Sequence, residues 1–158
     1  GMHFVAVSPK KYFPNKELVD TCLEIAKTSG AKLEFIEDPI LATKNADVIY
    51  TDVWVSMGED SAVWAERIKE LSPYKVTKAL MDNAKETAVF MHCLPAFHDL
   101  KTTTGKQIFE EFGITDMEVT DEVFESEKST LQYRSYFGEE NEKNYFIMLC
   151  VFFSFFRL

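Results

Sequence analysis

Apolar positions along this chain follow two periodicities in turn, short continuous runs and stripes spaced three to four residues apart. His3–Val7 is a short apolar run stopped by Ser8-Pro9 and reads as a buried strand. Between Asn15 and Ser29, Leu18, Val19, Cys22, Leu23, Ile25 and Ala26 form one helical stripe. Asn15 suits its N-cap and Gly30 the residue after its end. Leu33–Ile36 alternates with charge as a second strand, Pro39–Asn45 is a short helix with Pro39 in its first turn, and Asp47–Thr51 is a third, buried strand. Val53–Ser61 reads as a loop, Ala62–Leu71 as a helix broken by Ser72-Pro73, and Thr77–Ala84 as a further helix. Ala88–Leu94 is the most hydrophobic strand candidate, and Pro95 ends it. Thr103–Phe112 is an amphipathic helix closed by Gly113, Met117–Phe124 is strand or turn, and Glu139–Phe155 reads as a C-terminal helix.

Strands alternating with helices specify βαβ units. The expected fold class is therefore α/β, a three-layer Rossmann-like domain with a mostly parallel sheet. The length of 158 residues fits one domain, 1–158, with no internal repeat, linker or low-complexity tract. With 17 basic against 26 acidic residues the net charge is −9, and the lysines are scattered among carboxylates. Such a surface repels phosphate backbones and anionic lipid, so neither nucleic acid nor membrane is an expected partner. The apolar run Tyr145–Phe156 is shorter than the ~20 residues a membrane-spanning helix needs. It reads either as a buried terminal helix or as an altered tail that covers an exposed face or drives oligomerisation. Three widely spaced cysteines, Cys22, Cys93 and Cys150, do not make a disulfide framework, and the N-terminus lacks the pattern of a signal peptide. The expected compartment is the reducing cytoplasm.

Open parallel sheets place ligands beyond the carboxyl ends of their strands. Two strand ends here carry chemistry: Thr51-Asp52-Val53-Trp54-Val55-Ser56-Met57-Gly58 and His92-Cys93-Leu94-Pro95. Asp52, at a strand-to-loop handover, can hold an ammonium group in a crevice. Ser56 adds a hydroxyl, and the backbone of Met57-Gly58 offers N–H donors for a carboxylate. Together they suit an α-amino acid, although Asp52 and Ser56 equally suit the capping of a turn or helix. Cys93, beside His92, can become a thiolate that serves as base or nucleophile, or it can be an inert packing residue. His92, Cys93 and His98 fit no standard zinc spacing, so no metal is expected. The absence of a G-x-G-x-x-G run weakens a nucleotide-binding reading, and no cofactor is expected.

These motifs resemble ornithine carbamoyltransferase. Asp52-Val53-Trp54-Val55-Ser56-Met57-Gly58 matches the family's D-x-W-x-S-M-G loop and His92-Cys93-Leu94-Pro95 its H-C-L-P loop. Supporting stretches are Tyr74–Thr77, Pro95–Asp99 and Glu118–Ser126. The likeness is strong over 2–126 and weak over 128–158. Aspartate carbamoyltransferases carry proline where Cys93 stands, so the match points to the ornithine branch. The resemblance implies a transferase that takes carbamoyl phosphate and L-ornithine to citrulline and phosphate, in arginine metabolism. It implies that Asp52 contacts the ornithine α-amino group, that Ser56 and Met57 complete the clamp, that Cys93 and Asp52 handle the proton of the δ-amine, and that Leu94 offers its backbone to the carbamoyl group. Catalytic roles thus fall to Asp52 and Cys93, and substrate binding to Asp52, Ser56, Met57, Cys93 and Leu94. A homo-oligomer is expected.

The departures matter as much. The family's S-T-R-T-R element, which cradles carbamoyl phosphate, is absent, and the only arginines are Arg67, Arg134 and Arg157. Glu142 stands where the family's Glu-Asn-Arg element has arginine. The resemblance also implies that the family's ornithine-binding domain opens with a βα unit that this chain lacks. Loss of that strand would leave two strand edges unpaired, with self-association or a rearranged sheet as the result. The expectation is a chain that carries the ornithine side of the site and is inactive alone. The alternative is a non-catalytic remnant that binds an amino acid or associates with other subunits.

Overall fold

The computed structural model describes residues 1–55, 59, 61–130 and, through their backbone, 147–151. Strand β1 (His3–Val7) leads through a single 3₁₀ turn to helix α1 (Lys16–Ser29) and strand β2 (Lys32–Ile36). Both ends of α1 are fixed by the residues the sequence marks. Asn15 Oδ1 accepts from the Leu18 N–H at 2.8 Å, and Gly30, at φ 71°, donates its N–H to the Ala26 carbonyl at 2.9 Å. Helix α2 (Pro39–Thr43) is capped by Asp38, with Pro39 in its first turn, and hands over to strand β3 (Val48–Thr51). Helix α3 (Ser61–Leu71) ends in a 3₁₀ turn at Ser72–Tyr74, helix α4 (Lys78–Asn83) is capped by Thr77, and strand β4 (Val89–His92) follows. Helix α5 (Thr103–Phe112) stops at Gly113, φ 69°, and a short helix α6 (Asp121–Phe124) precedes the last described strand, β5 (Ile147–Val151).

All four strand pairings are parallel, and the order across the sheet is β2-β1-β5-β3-β4. The core joins Val5 and Val7 of β1, Ile49 of β3 and Phe90 of β4 to Leu71, Val76, Met117 and Val119 from the helices and connections. Burial of this apolar surface is what holds the helices on the sheet. Helix α1 contributes only Ala26 to the buried set and leaves Leu18, Leu23 and Ile25 exposed. Met117–Phe124, expected as strand or turn, differs from that: its first half makes only an isolated parallel bridge, Val76 to Val119, and Asp121–Phe124 is helix α6.

The C-terminal stretch departs from the helix expected over Glu139–Phe155. Ile147–Val151 is a strand in the middle of the sheet, and the rest of that stretch lies outside the described residues. β5 pairs with β1 from His3↔Ile147 to Ala6↔Cys150 and with β3 from Val48↔Met148 to Thr51↔Val151. Periodicity cannot separate a short, wholly apolar run into buried helix or buried strand, and here the two flanking ladders decide for the strand. The two unpaired strand edges expected from a missing strand are not left inside this sheet, because β5 pairs with both β1 and β3.

Candidate active site

Sheet topology brings the two loaded loops together. In the β3–β4 ladder Thr51 stands opposite His92, so the residues that follow, Asp52 and Cys93, leave the sheet side by side at its carboxyl edge. β1 runs outward to β2 while β3 runs outward to β4, so this edge flanks the place where the strand order reverses.

The Cys93 thiol donates to Asp52 Oδ1 at 2.6 Å, and the same oxygen accepts the Val53 N–H at 2.7 Å. Burial pushes the Cys93 thiol up to about 11, and its hydrogen bond to the Asp52 carboxylate and that group's negative charge push the same way. Hydrogen bonds involving the Tyr50 side chain and the Val53 amide oppose the rise without reversing it. At neutral pH Cys93 is therefore a protonated donor to the Asp52 carboxylate. His92 does not face the thiol sulfur: its side chain is buried, with Nε2 3.1 Å from Glu118 Oε1 and Nδ1 against the Cys93 carbonyl. A carboxylate holding a protonated thiol is a poised pair. An arriving ammonium group would meet the negative charge first, with the thiol proton beside it.

The rest of the candidate set is placed unevenly. Leu94 is 70% exposed, and its peptide bond to Pro95 is cis. Ser56 and Met57 lie outside the described residues. The flanking Trp54 and Val55 are buried. Arg67, distant in sequence from both loops, comes to the first of them in space. Its Nη1 donates to the Trp54 carbonyl at 2.8 Å, its Nη2 lies 3.5 Å from Glu59, and the residue is 7% exposed. Arg67 thus anchors the Asp52 loop from beneath, a role that only its helical position in α3, facing the core, could have signalled. Among the described residues the group with metal-ligating atoms close together is His98, Asp121 and Glu125. His98 bonds Asp121 at 2.8 Å and stacks on Phe124, and Asp121 and Glu125 are exposed.

A parallel α/β sheet with an acidic and a thiol side chain meeting on neighbouring strand ends is the architecture of a Rossmann-like α/β domain with a polar site at its carboxyl edge. The family comparison gives that class its place. Residues 1–137 match the family model described as aspartate/ornithine carbamoyltransferase, Asp/Orn binding domain, and the chain belongs to this family. It is 56% identical over 131 residues to the catabolic ornithine carbamoyltransferase of Treponema denticola, a match covering 83% of this chain and 39% of that protein. Ornithine carbamoyltransferase 1, catabolic, of Staphylococcus epidermidis is 52% identical over 132 residues, covering 83% and 40%. Among solved structures, ornithine carbamoyltransferase from Pyrococcus furiosus superposes with a TM-score of 0.64 at 32% identity, covering 82% of this chain and 43% of that one. The chain spans about two-fifths of the length of the curated relatives it matches.

Proposed function

We propose that residues 1–158 act as the ornithine-binding domain of a carbamoyltransferase, with Asp52, Ser56, Met57, Cys93 and Leu94 as its substrate-side residues. The observation that carries this reading is the 2.6 Å contact between Cys93 and Asp52. In the reaction a neutral δ-amine attacks the carbamoyl carbon of carbamoyl phosphate, the new C–N bond forms as the C–O bond to phosphate breaks, the nitrogen gives up its extra proton to the departing phosphate, and citrulline and hydrogen phosphate leave. The δ-ammonium must first lose a proton. Asp52 is the base within reach, and Cys93 carries a proton hydrogen-bonded to it. The α-amino group sits against Asp52, the α-carboxylate takes N–H donors of the Ser56-Met57-Gly58 loop, and Leu94 presents its backbone to the carbamoyl group.

Carbamoyl phosphate binding is not supplied by this chain in the same reading. Among the described residues the one arginine, Arg67, is engaged beneath the Asp52 loop, so no preorganised guanidinium meets the developing phosphate charge. The expected behaviour is saturable binding of L-ornithine and of norvaline, which keeps the α-groups but lacks the δ-amine, without citrulline formation by the isolated chain. Calorimetric titration of both ligands checks this. Absence of saturable heat with either ligand, in protein shown to be folded, would refute the reading. Citrulline production by the chain alone would refute its second half.

A further inference from the structure

Glu118 is the most deeply buried acidic residue among those described, 0% exposed, and it sits outside both loops. Its backbone is held in a fixed frame. The Glu118 carbonyl accepts the Val76 N–H at 2.9 Å, the Met117 N–H donates to the Phe97 carbonyl at 2.8 Å, and the Thr120 N–H donates to the Val76 carbonyl at 3.1 Å. From that frame a single carboxylate oxygen, Oε1, accepts the Phe97 N–H at 2.7 Å and lies 3.1 Å from His92 Nε2. His92 and Phe97 bracket the segment Cys93-Leu94-Pro95-Ala96, so one oxygen fastens both ends of the thiol-bearing loop. The constraint reaches the thiol through the chain itself, because His92 immediately precedes Cys93 and its ring is held at Nε2 by Glu118. The second oxygen, Oε2, is buried without a hydrogen-bond partner among the described residues.

Such an arrangement is a poor way to gain stability. A buried carboxylate with one oxygen unpartnered carries a desolvation penalty that a well-packed apolar side chain would avoid. What it supplies is geometry. A directional, buried hydrogen-bonding carboxyl oxygen fixes the imidazole ring and the Phe97 amide more narrowly than apolar packing does. We propose that Glu118 is a positioning residue whose carboxylate, by clamping His92 and Phe97, sets the Cys93 thiol against Asp52. In the proposed function above, on which this catalytic meaning rests, Glu118 places the proton-bearing group at the δ-amine without touching substrate.

The test reads the thiol itself, in the full chain and without ligand, as peptide-resolved iodoacetamide alkylation of Cys93 followed against pH. In the native protein alkylation follows a thiol that ionises near pH 11. In Glu118→Ala the loop is released, the thiol leaves the carboxylate, and the titration moves down toward the ordinary cysteine range with at least about tenfold faster alkylation at pH 8. Glu118→Gln keeps the shape and an acceptor for Phe97, and is expected to retain more than half of the upward displacement. Thermal melts run alongside, because a merely structural role lowers Tm and leaves the thiol titration in place. If Glu118→Ala does not fold, His92→Asn cuts the same strut and is expected to displace the titration in the same direction. An unchanged Cys93 titration in the folded variants overturns the proposal. Absence of norvaline binding by the native chain would remove the functional reading while leaving the thiol comparison standing.

Discussion

Cys93 Sγ lies 2.6 Å from Asp52 Oδ1, although the two residues are 41 positions apart and belong to different strands. The contact follows from one register fact, Thr51 opposite His92, since parallel neighbours leave the sheet at the same edge. Within this pair the carboxylate raises the thiol and the thiol occupies the carboxylate.

The pair has a pH signature. The folded Cys93 thiol titrates at about 11, above the ordinary cysteine value of roughly 8.5. Folding thus favours the protonated form, so the associated stability is fully present below the unfolded pKa and is lost as pH rises toward the folded one. Denaturant midpoints are expected to fall between about pH 9 and pH 11 more steeply in the native chain than in Cys93→Ser. In Asp52→Asn, which removes the charge but keeps the shape, the thiol is expected to titrate below 11. Burial remains in that variant, and burial is the larger cause, so its titration stays above the ordinary cysteine value. Thiolate absorbance across this range is the measurement, and coincident curves for native and Asp52→Asn protein would contradict the assignment.

Asp52 is also expected to hold the ligand. A hydrogen bond to a charged group contributes about 1.5–3 kcal/mol, equivalent to roughly 10- to 150-fold in affinity. Asp52→Ala is therefore expected to weaken norvaline and ornithine binding by at least about tenfold in calorimetry, with far-UV circular dichroism unchanged. Equal affinities in native and variant protein would place the amino-acid clamp elsewhere.

How much of this was visible in the sequence depends on whether a neighbour in the chain or a neighbour in space does the work. The ends of α1 and α5 were legible because Asn15, Gly30 and Gly113 act within one turn of where they stand. The α/β class was legible because strand and helix periodicities differ. Proximity of Asp52 and Cys93 was suggested by the motifs they sit in, since strand order cannot be read from local pattern. Arg67 and Glu118 escaped notice as site-shaping residues because each acts on a backbone group far away in sequence, Arg67 on Trp54 and Glu118 on Phe97. Composition even misleads for such residues, since most Arg and Glu side chains lie at the surface. Adjacency in sequence misleads in the same way: His92 stands next to Cys93, yet its ring turns to Glu118.

Arg67 offers a second way to disturb the Asp52 loop without touching it. Its guanidinium is buried, donates to the Trp54 carbonyl, and lies over the Tyr12 ring at 5.3 Å. Arg67→Ala leaves that carbonyl without this donor and opens a space beside Trp54. The expected loss of stability is about 2–4 kcal/mol, read as a lower urea midpoint at unchanged slope. Ligand affinity is expected to fall as well, because Trp54 directly follows the Asp52-Val53 turn. Arg67→Lys is expected to recover little of either loss, since an ammonium cannot reproduce the planar fork. A variant with native stability and affinity would mean that the loop holds its own shape.

The last expectation concerns the strand that joins the two halves of the sheet. β1 and β2 form one ladder, β3 and β4 another, and β5 is the strand paired with both. Removing it would leave β1 and β3 with a row of unmet N–H and C=O groups each, in the interior of the sheet where strands are least able to tolerate them. Asp52 and Cys93, by contrast, both emerge from the β3–β4 ladder. Leu149→Pro removes one amide and forces a ring into the middle of β5, which a central strand cannot accommodate. This variant is expected to lose the cooperative thermal transition or to associate into larger species, seen by calorimetry and light scattering. Hydrogen exchange provides the independent check on the native chain. Amides of Ile147–Val151 in a central strand exchange only with global opening, at rates matching those of Val5 and Ala6 in β1. Rapid exchange at 147–151 together with slow exchange in β1 and β3 would show that the sheet closes without this strand.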